Sequence, residues 1–212
     1  MHSPRSPRTR GRATAGALAK RCCAHAAAAL GLALAVAIGP APRCPAQAQA
    51  GAADAGPFDA IDHTGKPFAS SALSGRPYAI FFGFTRCPDV CPTTLLEVSK
   101  RLEELGADGD RLPVLFVTVD PEYDTPERLR AYLSSFDARI LGLTGSEQQI
   151  ASIARVWNAF YYKLVEPDGS YTITHSAYVY LMDRNNRRAG TLTFQDSEGE
   201  QLAKLRDLLA AR

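Results

Sequence analysis

No aspartate or glutamate occurs in the first 50 residues of this 212-residue chain, although seven Lys/Arg do (Arg5, Arg8, Arg10, Arg12, Lys20, Arg21 and Arg43). The acid-free basic stretch leads into an uncharged Ala/Leu-rich run from Cys22 to Ile38. Breakers at Gly39-Pro40 and small-residue sites at Ala46-Gln47-Ala48 and Ala48-Gln49-Ala50 follow. That is the anatomy of a secretory signal. Residues 1–50 are therefore expected to form a signal peptide or an N-terminal membrane anchor, ahead of a domain at 51–212. The apolar run is short for a spanning helix, which needs roughly 17–25 residues, so cleavage near Gly51 is favoured over anchorage through 22–38. No Arg-Arg pair precedes the run, which leaves export of an already folded domain without support. Cys44 follows Ala41-Pro42-Arg43, which does not resemble a lipoprotein cleavage box.

The excess of basic charge also belongs to the leader. The whole chain carries 24 basic and 22 acidic residues, a net +2, whereas from Gly51 onward the balance is 17 minus 22, or −5. The basic total thus gives no indication of nucleic-acid binding, and none is expected. A mildly acidic exported domain is the better description, periplasmic or anchored with its body outside the cytoplasmic membrane. That compartment is oxidising, and two cysteines left free in it would be unusual.

Cysteine and histidine are scarce in the body. Three of the five cysteines (Cys22, Cys23, Cys44) lie in the leader, leaving Cys87 and Cys91, with His63 and His175 the histidines beyond residue 50. Neither an internal repeat nor a second composition shift breaks the remaining stretch of about 160 residues, enough for one domain with a sizeable core. Ala52 to Pro57 reads as a linker. Phe58–Ile61 is a predicted strand that turns through Asp62-His63-Thr64-Gly65-Lys66 and returns at Pro67-Phe68. Tyr78–Phe84 and Val114–Val119 are continuous apolar runs, expected for strands buried on both faces. Helices are predicted over Thr93–Leu105, stopping at Gly106, and over Thr125–Phe136, with Thr125 as cap and Pro126 at the first helical position. Ile140–Leu143 is a short strand and Ser146 to Asn158 a helix. Tyr161–Val165 and Tyr171–Ile173 flank Glu166-Pro167-Asp168-Gly169 as a hairpin. Ala177–Met182 is a strand, Thr191–Phe194 an edge strand, and Leu202, Leu205, Leu208 and Leu209 mark one face of a last helix. The alternation predicts an α/β domain with a mixed central sheet flanked by helices.

The chemistry concentrates at Cys87-Pro88-Asp89-Val90-Cys91-Pro92, directly after the first buried run. Pro92 suits the first turn of a helix, where its missing N–H costs nothing. Cys91 is then expected at the helix cap and Cys87 in the loop before it. The positive end of the helix favours thiolate over thiol. A pair so placed can brace the loop as a disulfide, hold a soft metal, or do each in turn. The spacing is not the C-x-x-C of thioredoxins, and the Pro and Thr/Ser of a peroxidase signature are missing. His63 sits in a turn with no other ligand type around it and is expected to be solvated. His175, taken by itself, reads as a hydrogen-bonded core or edge histidine. Asp120 and Asp124, in Asp-Pro-Glu-Tyr-Asp-Thr-Pro, could pass for paired acid/base carboxylates, but turn and cap roles fit better. Trp157, Phe160, Tyr161 and Tyr162 are expected in the core, and Tyr178 and Tyr180 on one face of their strand.

Taken together, Gly83-Phe84-Thr85-Arg86-Cys87-Pro88-Asp89-Val90-Cys91-Pro92-Thr93, Val119-Asp120-Pro121-Glu122-Tyr123-Asp124-Thr125-Pro126 and Thr174-His175-Ser176 resemble the Sco/SenC family, in order and spacing, over residues 55–212. The resemblance implies a thioredoxin-like fold and one copper per chain, Cu(I) or Cu(II), held by Cys87, Cys91 and His175. It implies a metallochaperone for the binuclear copper site of a cytochrome c oxidase, with the copper-receiving subunit and an external thiol reductant as partners. In a thioredoxin-like fold the loop before the strand at Ala177 faces the first strand-to-helix loop and commonly supplies a cis-proline. No proline lies near His175, so the imidazole takes that place. Two thiolates and an imidazole suit Cu(I) and tolerate Cu(II) with a further ligand, while Zn²⁺ would accept the same three plus water. Thr174 departs from the Asp that many family members carry there. The alternatives are a thiol–disulfide oxidoreductase with Cys87 and Cys91 as its redox-active pair, and a domain braced by a structural disulfide. Only the copper reading needs the distant imidazole.

Overall fold

The computed structural model describes residues 56–211. The expected leader at 1–50 lies outside the described residues. Nine strands and four helices follow in the order β1 (Asp59–Asp62), β2 (Pro67–Ala69), β3 (Tyr78–Gly83), α1 (Val90–Leu105), β4 (Val114–Thr118), α2 (Pro126–Leu133), β5 (Ile140–Thr144), α3 (Glu147–Val156), β6 (Tyr161–Val165), β7 (Tyr171–His175), β8 (Val179–Met182), β9 (Arg188–Leu192) and α4 (Glu198–Ala210). Seven strands form one mixed sheet, ordered β2-β1-β5-β4-β3-β8-β9, in which β3, β4 and β5 run parallel. Strands β6 and β7 pair only with each other.

The continuous apolar runs have a simple cause. In β3, Tyr78, Ile80 and Phe82 point to one face, where α3 contributes Ile150, Ile153 and Ala154 beside Trp157. Ala79 and Phe81 point to the other, against Leu95, Val98 and Leu102 of α1, Leu129 of α2, and Leu205 and Leu208 of α4. A strand covered on both faces needs apolar side chains at every position, and each large one taken fully from water contributes about 1.5–3 kcal/mol.

Helix starts follow local chemistry. Thr125 caps α2 with Pro126 in its first turn, and Ser146 with Gln149, and Ser197 with Glu200, form capping boxes on α3 and α4. Reciprocal bonds of this kind satisfy N–H groups that the helix itself leaves unpaired. Helix α1 is different. It begins three residues earlier than predicted, at Val90, and its N-cap residue Asp89 makes no side-chain capping bond. Several other limits also shift. Strand β7 runs on to His175, β9 lies at Arg188–Leu192 rather than Thr191–Phe194, and α2 ends at Leu133.

Candidate metal centre

The end of β3 delivers the chain to the site. Gly83 is the last residue of the strand, and a Cβ built there would lie 2.7 Å from Cys91 Sγ and 2.7 Å from Cε2 of Phe116. Only a residue without a side chain lets that sulfur rest against the sheet. Cys91 is accordingly buried, at the second position of α1 rather than at its cap, and Pro92 occupies the third position. Cys87 lies half-buried in the loop before the helix. The Cys91 N–H donates to Cys87 Sγ at 3.4 Å. The sulfur thereby takes the capping place that Asp89 leaves empty.

His175 comes from the opposite side, at the end of β7. Its Nε2 stands 3.4 Å from Cys91 Sγ, and Nδ1 lies 3.1 Å from the Ser176 carbonyl oxygen. With the proton on Nδ1 donated to that carbonyl, Nε2 keeps its lone pair turned toward the sulfurs. The rings of Phe81 and Phe84 meet the imidazole edge-on, with centroids 6.2 and 5.8 Å away. Ligand atoms of Cys87, Cys91 and His175 all lie within 4.8 Å of one another. Atoms sharing one metal at about 2.0–2.3 Å are roughly 3.5–4 Å apart, so this donor set fits a single soft ion with little rearrangement.

The sulfurs divide one charge between them. The Cys91 thiol, hydrogen-bonded to Cys87, holds the Cys87 thiol well below its ordinary range, at about 4, against the opposing effect of burial; nearby backbone N–H groups assist. Cys91 is driven strongly upward by the same bond, by burial and by the neighbouring negative charge. The half-exposed sulfur is therefore the anion and the buried one its donor.

Around this lies a shell built by the Asp120–Asp124 loop, expected from its sequence to supply turn and cap roles and to border the site without binding metal. Asp124 is buried and accepts from Thr85 N (3.0 Å), Thr85 Oγ1 (2.5 Å) and Thr118 Oγ1 (2.6 Å). Burial raises its pKa despite these donors. Asp120, also buried, accepts from Arg86 and from the Tyr171 hydroxyl. Neither carboxylate belongs to the Cys87, Cys91 and His175 cluster. Regular Asp-Pro and Asp-Thr-Pro spacing hints at turns, but nothing local reveals that Asp124 grips the cysteine loop 39 residues away. His63 is not simply solvated, since its Nδ1 accepts from Gly142 N–H at 2.9 Å and ties β5 to the β1–β2 turn. One core assignment fails in part. Trp157 is buried, but Phe160 and Tyr162 are exposed; Tyr178 and Tyr180 do meet ring to ring at 6.4 Å, the first exposed and the second buried.

Comparison with known proteins gives a consistent setting. A family model described as SCO1/SenC matches residues 46–210. A SCO2-like protein of Rickettsia prowazekii is 40% identical over 134 residues, which span 62% of this chain and 65% of that relative. The structure of Bradyrhizobium japonicum ScoI with copper bound is similar at 41% identity and TM-score 0.68, covering 73% of this chain and 98% of that one. Yeast Sco1 with copper bound is similar at 32% identity and TM-score 0.68, covering 74% and 89%. The fold is the thioredoxin-like α/β arrangement.

Proposed function

The chain belongs to the SCO1/SenC family, and we propose that it is a copper-binding metallochaperone that binds one copper through Cys87, Cys91 and His175. The observation that carries this is the convergence of two sulfurs and one imidazole nitrogen within 4.8 Å. Soft thiolates with a neutral imidazole favour Cu(I), and the two relatives solved with copper bound support the choice of metal. Loading requires Cys91 to give up its proton, because Cys87 is the thiolate already. The ion then draws both charges together, and the Nε2 lone pair completes the set. Release to a receiving thiolate site proceeds by ligand exchange, easiest from the half-exposed Cys87. The proposed recipient is the copper-receiving subunit of a cytochrome c oxidase. When the thiolate and the thiol instead close as a disulfide, two electrons and the Cys91 proton leave with an acceptor, and an external thiol reductant must return them before copper can bind again.

The basic leader and its small-residue sites support export, with the domain outside the cytoplasmic membrane and any membrane association through 22–38. Among the described residues no helix is long and apolar enough to cross a membrane.

One observation favours a second reading, thiol–disulfide oxidoreduction on protein cysteines. A half-exposed thiolate beside a buried protonated thiol is the asymmetry of an attacking and a resolving cysteine. Titrating the reduced protein with copper separates the two. One equivalent should bind, and Cu(II) should show sulfur-to-metal charge-transfer absorption that either Cys87→Ser or Cys91→Ser abolishes. An unchanged spectrum in His175→Ala would remove the imidazole from the site and leave the oxidoreductase reading the stronger.

A further inference from the structure

His175 rides on an arm that the main sheet does not hold. Strands β6 and β7 pair with each other alone, so the place of the imidazole depends on how this hairpin docks. Ile173 is buried against the body. Beside it a cleft lined by Val119, Ala151, Tyr161 and Ile173 separates arm from domain. On the outer side Tyr162 and Leu164 face solvent. Apolar burial under the arm is therefore thin, and a polar junction supplies the rest.

That junction centres on Asp120. Its buried carboxylate receives the Tyr171 hydroxyl at 2.9 and 3.0 Å and Arg86 Nη2 at 3.0 Å. The Arg86 guanidinium lies between two rings, 3.9 Å from the Tyr123 centroid and 4.2 Å from that of Tyr171. Arg86 is the residue before Cys87, Asp120 closely follows β4, and Tyr171 opens the strand that His175 closes. At about 3.3 Å per residue, Tyr171 fixes the arm roughly 13 Å from the imidazole. Together with Ile173 buried midway along β7 and the Lys163–Glu122 ion pair on β6 at 2.9 Å, this attachment sets the strand's direction as well as its place.

We propose that the Arg86–Asp120–Tyr171 junction sets the His175 arm against the cysteine loop, making Asp120 and Tyr171 positioning residues for the metal site although neither reaches it. The inference rests on the copper reading for its consequence, but the docking itself does not need copper.

The test has two arms. In the reduced, copper-free protein, Tyr171→Ala should speed amide exchange over 161–165 and 171–175 at least tenfold and leave β3 and β4 unchanged, with Tyr171→Phe intermediate. Copper affinity is then measured for Tyr171→Ala with and without His175→Ala. The expected result is a weakening of about tenfold where His175 is present and none where it is absent, since the junction acts through the imidazole. Unchanged exchange in the arm, or equal weakening in both backgrounds, would overturn the proposal. Should Tyr171→Ala fail to fold, Tyr171→Phe and Asp120→Asn carry the same comparison. A protein that binds no copper in any form defeats the functional reading, while the exchange arm still decides the docking.

Discussion

Cys87 and Cys91 are the same residue type four positions apart, yet their surroundings give them opposite chemistry. Cys87 receives a thiol proton and a backbone N–H from Cys91 and is held at about 4. Cys91, buried beneath it, is pushed strongly upward. An ordinary exposed thiol, with a pKa of about 8.5, reacts roughly tenfold faster for each unit that the pH rises toward that value, because only the thiolate attacks. Cys87 has its thiolate already formed above its lowered pKa, so its alkylation should be nearly flat from pH 5.5 to 8. Cys91 should stay unlabelled across that range. Mass mapping of the modified site at each pH checks both, and a tenfold rise per unit at Cys87 would refute the assignment. The cysteine pair stood out in the sequence because the body holds two cysteines and two histidines, but His175 by itself read as a core or edge histidine, and its proposed place beside the pair came from the family resemblance. The need for glycine at position 83 was not. It arises from the ring of Phe116 and the Cys91 sulfur closing on one point, and no local pattern encodes that approach.

Between elements, the clamp at Asp124 joins the loop after β3, the end of β4 and the start of α2. Thr85 contributes both its N–H and its hydroxyl to that buried carboxylate. Replacing Thr85 by Val keeps the shape and removes one donor from a desolvated acid, which costs about 1–3 kcal/mol. Thr85→Ser keeps the hydroxyl and should cost far less. Denaturant unfolding of the reduced protein compares them, and equal stability of the Val and Ser variants would mean that the hydroxyl bond contributes nothing. Elements of this kind show which parts of a fold can be read from sequence. Buried β3 and β4 were readable because cover on both faces forces unbroken apolar runs, and α2 because Thr125-Pro126 is a local start signal. The separate sheet of β6 and β7 was not readable, since strand order depends on partners far along the chain. The early start of α1 was missed for a related reason. Its cap is the Cys87 sulfur rather than a side-chain oxygen, and capping patterns are recognised by Ser, Thr, Asp or Asn.

For the whole molecule, copper would be a cross-link as well as cargo. Cys91 and His175 are 84 residues apart in sequence, one in the first turn of α1 and the other at the end of an arm outside the main sheet. A metal bound by both holds the arm to the body, and an unfolded chain offers no such preformed set. Binding to the folded state alone stabilises it by about 2.7 kcal/mol when free copper is one hundred times the dissociation constant. For a domain of this size each kcal/mol moves Tm by about 2–4 °C. Saturating Cu(I) should therefore raise the Tm of the reduced protein by about 5–11 °C, with a smaller rise for His175→Ala at the same free copper. The disulfide form has no thiolate to offer, so its Tm should not respond to copper until a thiol reductant is added. Scanning calorimetry of reduced and oxidised protein at fixed free copper reads the difference directly. An equal rise in both forms would place the metal away from these sulfurs. A rise confined to the reduced form makes loading conditional on a reductant, which an oxidising compartment would have to supply from a separate donor.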